Sequence, residues 1–250
     1  MILTIAAQEF KSHFISPLAW ILMAVLQIIL GYLFLTQVET FTLMQDKLLN
    51  ITGAPGLTDV IITPLFSNAG VIFLLVTPLL TMRVICDERR NKTLCLLFSA
   101  PVTNSDIILG KYLGTLGLMW VIVILVGLMP FTLLLGGDID TGKFFANGMA
   151  LILLVAAFAS TGILMSTLAE HPTVAAISTF GILIVLWLLN INQTMSDKPN
   201  ELIQGLSLLY HYQNIQTGLI DSRDIIYFLL YICTFIVLSI YCLANQRLQK

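Results

Sequence analysis

RVICDERRNKTLCLLFSAPVTNSDIILGK, residues 83–111, sets a dense group of charges, Asp87, Glu88, Arg89, Arg90 and Lys92, between two long apolar runs. Burying even four of these five charges at mid-membrane would cost on the order of 10 kcal/mol on insertion scales, so this segment lies in water or among headgroups. After the charges comes Thr93-Leu94-Cys95-Leu96-Leu97-Phe98, too short to cross a bilayer but long enough for about two helical turns. Ala100-Pro101 then ends that helix. A short helix on the water side, tethered at both ends to spanning helices, can act as a lever.

Composition agrees with spans on either side. The 250 residues are 58% hydrophobic and 10% charged, with a mean hydropathy of +0.94. Soluble domains run at roughly 45–50% apolar and 25% charged, so the chain reads as an integral membrane protein. The formal net charge of −2 says little alone, because its distribution across the two faces matters more. Cys86, Cys95, Cys233 and Cys242 form no CxxC pair and read as reduced thiols. No small-residue cleavage site follows the first apolar run, so no cleavable signal is expected.

Working outward, the expected architecture is a single all-α transmembrane domain over 1–250. Residues 1–16 put Leu3, Ala6 or Ala7, Phe10 and Phe14 at spacings of three and four, an interfacial helix. Continuous apolar runs give six spans, at 17–35, 60–85, 107–135, 144–169, 173–189 and 225–244. Segment 86–106 is the cytoplasmic coupling segment between spans two and three. Pro78 should kink span two near its end. In the outer segment, 190–223, Leu202, Ile203, Leu206, Leu209 and Tyr210 share one helical stripe that would dip into the outer interface. Unbroken rather than alternating runs exclude a β-barrel.

Six spans put both termini on one side, and cations choose which. With the termini inside, Lys11, Arg83, Arg89, Arg90, Lys92, Lys111, Arg247 and Lys250 are cytoplasmic; Lys47, Lys143, Lys198 and Arg223 are outside. The two-to-one excess favours N-in, C-in, which puts the charged lever where ATP is. The expected location is the inner, cytoplasmic membrane of a bacterium, as a multi-pass protein.

The chain itself has no visible chemistry. Gly110-Lys111 and Gly142-Lys143 lack both the earlier Gly and the following Ser or Thr of a phosphate-cradling loop. His13, His171 and His211 lie in three segments without a metal-binding spacing. Ser160-Thr161-Gly162 has no spanning histidine or lysine to activate a hydroxyl, and reads as a packing motif. An ion-coupled carrier would keep ionisable groups near the midplane, and the spans have none away from their ends. Lys111, the nearest candidate, is expected to snorkel to the cytoplasmic edge. Gly110 with Gly114, and Ala156 with Ser160, allow close helix approach, either within one subunit or against a second copy. The chain therefore reads as a non-enzyme that binds no cofactor or nucleic acid and takes its energy from another polypeptide.

Residues 83–111 resemble a segment in permease subunits of type-2 ATP-binding-cassette (ABC) exporters that reads, loosely, E-x-x-x-G-T-x-E-x-L-L-x-x-P-V, followed by I-x-L-G-K. Glu88, Thr93, Leu96, Leu97, Pro101, Val102, Ile107, Leu109, Gly110 and Lys111 match it; Lys92 stands where the pattern has Gly and Cys95 where it has Glu. Glu9-Phe10-Lys11, Ser16-Pro17, the corner at 166–176, and the distal set Leu206, Tyr210, His211, Asn214, Gly218, Asp221, Asp224 and Tyr227 extend the likeness over most of the chain. They are similar to the branch containing gliding-motility permeases and permeases implicated in copper-enzyme maturation. Pro172 in the corner departs from that pattern.

The resemblance implies a permease that works with a separate cytoplasmic ABC ATPase, which holds the ATP and Mg, and pairs with a second copy or a related permease. Asp87, Glu88, Arg89, Arg90 and Thr93 would supply polar docking contacts, Leu94, Leu97 and Phe98 the buried face, and Pro101 and Val102 the exit angle into span three. The interfacial helix either clasps the ATPase or lies in lipid. Leu206, Tyr210, His211, Asn214, Gly218 and Asp221 are the candidates for contact with an extracytoplasmic auxiliary protein. The alternative is a non-transporting component that transmits ATPase-driven force to such a partner; an apolar seam gives no preference among substrates.

Overall fold

The computed structural model describes residues 1–48, 56–91, 102–135, 140–194, 205–218 and 221–248. In chain order the helices are α1 (Ile2–Ile15), α2 (Pro17–Leu48), α3 (Thr63–Thr81), α4 (Cys86–Arg90), α5 (Asn104–Leu128), α6 (Thr141–Leu168), α7 (Pro172–Thr194), α8 (Leu208–Gln216) and α9 (Ser222–Leu248). A π-helical turn, Thr58–Ile62, leads into α3, and a 3₁₀ segment, Met129–Leu135, extends α5. Among the described residues there is no strand, and six helical stretches are long and apolar enough to cross a membrane. The protein is an all-helical, multi-pass membrane protein.

Each observed stretch overlaps one expected span, and the first differs most, running Pro17–Met44 rather than stopping at 35. Hydrophobicity falls at Thr36, but nothing there breaks a helix. The Thr36, Thr40 and Thr42 hydroxyls donate back to the carbonyls of Leu33, Thr36 and Glu39, so the polar turns remain helical. At about 1.5 Å per residue, α2 outruns a hydrocarbon core of roughly 30 Å.

α3 and α6 form the centre. Some 67% and 72% of their most apolar windows are buried, against 17% for α7 and α9, which pack least within the chain. Phe66, Phe73, Leu154 and Phe158 fill the middle. At Gly162 any Cβ would collide with Thr81, so only glycine lets α6 approach the end of α3 this closely. Pro78 lies inside α3 one turn before its end, and residues 82–85 form a turn before α4. Proline cannot donate to the carbonyl four residues earlier, which weakens the helix where it stops.

The outer segment differs from the expected surface helix. Leu202 and Ile203 lie outside the described residues; α8 begins only at Leu208, capped by Ser207 Oγ, which accepts from Tyr210 N at 3.4 Å. Leu208, Leu209, Tyr212 and Ile215 are buried in the bundle, while Leu206 remains exposed. Tyr212 explains the depth: its hydroxyl donates to the Phe66 carbonyl at 2.6 Å. A tyrosine that reaches a partner can be buried whole.

Candidate functional site

The charged helix α4 is fastened on every side. Ser166 Oγ, from the last turn of α6, accepts from Ile85 N at 3.1 Å and Cys86 N at 3.2 Å, and donates to the Met82 carbonyl at 3.2 Å. One hydroxyl thereby satisfies the polar groups that the break between α3 and α4 exposes. Arg89 donates through Nη1 to the Ala169 carbonyl at 3.3 Å and through Nη2 to the Thr167 carbonyl at 3.2 Å. Those carbonyls end α6, where a cation also complements the helix dipole. Gln246 Nε2 of α9 donates to the same Thr167 carbonyl at 2.9 Å.

Lys111 ties the junction together. It does not snorkel: its side chain is 4% exposed, and Nζ lies 2.8 Å from Glu88 Oε1, 3.0 Å from Glu9 Oε2 and 2.8 Å from the Val84 carbonyl. An ammonium has three donors, and all three are used. The partners come from α4, α1 and the break after α3, while Lys111 itself is in α5. Burying a lysine is costly unless it is paired and fully hydrogen-bonded, which is the condition met here.

α1 reaches Lys111 because α5 offers it a groove. A Cβ on Gly110 would sit 2.7 Å from Ile5 Cβ, one on Gly114 2.6 Å from Glu9 Cβ, and one on Gly117 2.9 Å from Phe10 Cδ2. The small residues therefore accommodate α1 of the same chain. His13, one turn past Glu9, sits 3.5 Å from Thr115 Oγ1 and 3.9 Å from Glu9 Oε1. Burial holds its imidazole below the ordinary 6.5; Glu9 opposes that shift and Lys111 adds to it.

Of the residues expected to couple, Asp87, Glu88, Arg89 and Arg90 form α4, and Val102 packs against the core just before α5. Thr93, Leu94, Leu97, Phe98 and Pro101 lie outside the described residues. Glu88 and Arg89 are engaged within the chain. Asp87 and Arg90 line a cavity of about 600 Å³ together with Arg83, Asn91 and His171. α5 starts after this segment with a capping box: Thr103 Oγ1 accepts from Asp106 N, and Asp106 Oδ2 accepts from Thr103 N, both at 3.2 Å. Sequence reading missed Glu9, Ser166 and the burial of Lys111. The available signal was a lone cation one turn inside an uncharged run, together with a carboxylate on the apolar helix that precedes span one.

The distal candidates form an internal clasp at the other end of the bundle. His211 Nδ1 is 2.6 Å from Asp224 Oδ1 and Nε2 is 3.1 Å from the Gly205 carbonyl, with the ring stacked on Tyr227 at 4.0 Å between centroids. The Tyr227 hydroxyl donates to the Leu206 carbonyl at 2.7 Å, and Asp221 Oδ1 accepts from Arg223 N at 3.1 Å. Tyr210 and Asn214 are half-buried on α8. Gly218 has φ +91°, in the left-handed region, and a Cβ there would meet Lys143 Cγ at 2.9 Å.

Residues 3–248 match the family model described as "ABC-2 family transporter protein". No curated protein matches the chain.

Proposed function

From the premise that the chain belongs to the ABC-2 transporter family, whose members serve as membrane permease components of ABC transporters, we propose that it couples a separate cytoplasmic ATPase to export of a substrate. Family members generally work with such an ATPase, often as dimers. Here α4 and the segment after it face the cytoplasm, both termini lie inside, and ATP and Mg stay with the ATPase. The likeness at Glu9-Phe10-Lys11 and at the distal set favours the gliding-motility and copper-enzyme-maturation branch.

The observation that carries this reading is the three-way grip on Lys111. A lever works only if its load arm is stiff. Lys111 locks α4 to α5 and α1, while Ser166 and Arg89 lock it to α6, so displacement of α4 would move the ends of the spanning helices together. Drawing two such levers inward, one per permease, would tilt these helices at the seam between the subunits. Leu94, Leu97 and Phe98, which lie outside the described residues, are the candidates for apolar docking contacts, and Arg90 on α4 is an exposed charge.

The test is Leu97→Asp with Phe98→Asp in the purified complex. The ATPase is expected to dissociate while the permease keeps its melting temperature; unchanged co-purification and unchanged ATPase stimulation would refute the coupling role.

A further inference from the structure

The cavity of about 600 Å³ between α4 and the α6–α7 corner has a chemistry that the coupling role leaves unused. Arg83, Asp87, Arg90 and Asn91 line it from the stretch around α4, and His171 and Thr173 from the corner and the first turn of α7. Arg83 and Arg90 are both exposed, and neither makes a hydrogen bond or ion pair among the described residues. Their charged neighbours are engaged elsewhere, Arg89 with the carbonyls that end α6 and Glu88 with Lys111. Glu170, next to His171 in the chain, does not line the cavity. Residues 92–101, which follow in the sequence, contain no carboxylate, and Lys92 is their one charge. With His171 counted neutral, two guanidiniums against the carboxylate of Asp87 leave the lining with a single net positive charge.

The place of the cavity selects the ligand. Pro172 and Thr173 begin both α7 and the fifth apolar span, so the cavity sits where hydrocarbon gives way to headgroups. Ile177, four residues on from Thr173, lies on the same face one turn deeper and is 73% exposed. Gly181 follows at the same spacing, where a Cβ would meet nothing within 4 Å, and then Val185, 59% exposed. An exposed apolar stripe, notched at its glycine, thus leads from the cavity into the span. An acyl chain on that stripe would bring its own phosphate to the two guanidiniums, whose forks fit phosphate oxygens. One arginine at the end of a span would only snorkel, whereas two on one concave wall, beside the hydrogen-bonding groups of Asn91 and His171, form a receptor. We infer that the cavity binds a phosphate group of one net negative charge, presented either by an anionic phospholipid, which the stripe favours, or by free phosphate. Seated there, it would brace α4 against the start of α7, a joint that neither Lys111 nor Ser166 makes.

Binding needs neither ATPase nor nucleotide, so it stands or falls apart from the coupling role. The full chain would be released from nanodiscs of equal phosphatidylglycerol and phosphatidylcholine into a mass spectrometer, and the lipids it retains counted. Phosphatidylglycerol is expected to be enriched about fivefold, and Arg83→Gln with Arg90→Gln should bring the ratio to about one. Each single variant should give an intermediate ratio, which keeps a readout should the double variant fail to fold. Lys11→Gln with Arg223→Gln removes the same charge elsewhere and should leave the enrichment unchanged. Inorganic phosphate added in pure phosphatidylcholine discs separates the sources. A melting temperature that it raises in the wild type, but not in the arginine variant, identifies free phosphate as the ligand, and enriched phosphatidylglycerol identifies the headgroup. Equal retention of the two lipids with no response to phosphate, an enrichment that survives loss of both arginines, or one lost equally in the distant control would each overturn the assignment.

Discussion

Lys111 joins α1, α4 and α5 at one point, and its removal should be felt twice. Lys111→Met removes the cation that the Glu9 and Glu88 carboxylates share. Breaking a buried pair costs about 3–5 kcal/mol; with those carboxylates 18% and 28% exposed, a loss of about 2–4 kcal/mol is expected, read as a lowered denaturant midpoint. ATPase stimulation by the variant permease should fall at least about tenfold, and Glu88→Gln in the same chain should restore part of the stability. Lys111→Arg should not substitute, because a planar fork cannot meet three acceptors arranged around a point charge. His13 supplies a pH dependence of known sign. Its folded-state value lies below the ordinary 6.5, so the docked α1 binds fewer protons than the released one, and docking should weaken as pH falls through and below about 6.5. Spin labels at Leu3→Cys and Leu113→Cys should report a broader distance distribution at about pH 5 than at about pH 7.5, and His13→Gln should remove the difference.

Among the elements, the spans were legible because hydrophobic run length is a direct consequence of bilayer thickness, and the caps at Thr103 and Asp140 follow from local sequence. Where α2 and α8 end or begin was not, since threonine back-bonding in one and a single buried tyrosine in the other override polarity. The partner of the Gly110-Gly114 stripe was equally hidden: small residues announce a close approach but not its occupant, and here the occupant is α1. Gly114→Val should push α1 off α5, because its Cβ alone would lie 2.6 Å from Glu9 Cβ and 2.8 Å from the Ala6 carbonyl. Faster tryptic cleavage at Lys11 in nanodiscs is the readout. Gly218→Ala should cost about 1–2 kcal/mol through its left-handed backbone, with a further penalty from Lys143.

At the scale of the whole molecule, a rigid pair, α3 and α6, carries a polar junction at one end and the His211 clasp at the other, with less buried helices around it. Orientation belongs to this scale: a cysteine at Arg90 should react with a membrane-impermeant maleimide in inside-out vesicles and not in right-side-out ones, the reverse holding for Gln213→Cys. The charge asymmetry in the sequence is what sets this expectation, whereas the junction could not be read there, because its three charged members are far apart in the chain and meet only once helices pack. That separation also dictates an order of assembly. Glu9 and Lys111 are 102 residues apart, so α1 leaves the ribosome long before translation supplies the groove and the cation that hold it. Until the third span is inserted α1 can only drift on the bilayer, and it then closes over the finished bundle as a late rivet. A nascent chain stalled before residue 111 should leave it loose, and one stalled well beyond should not.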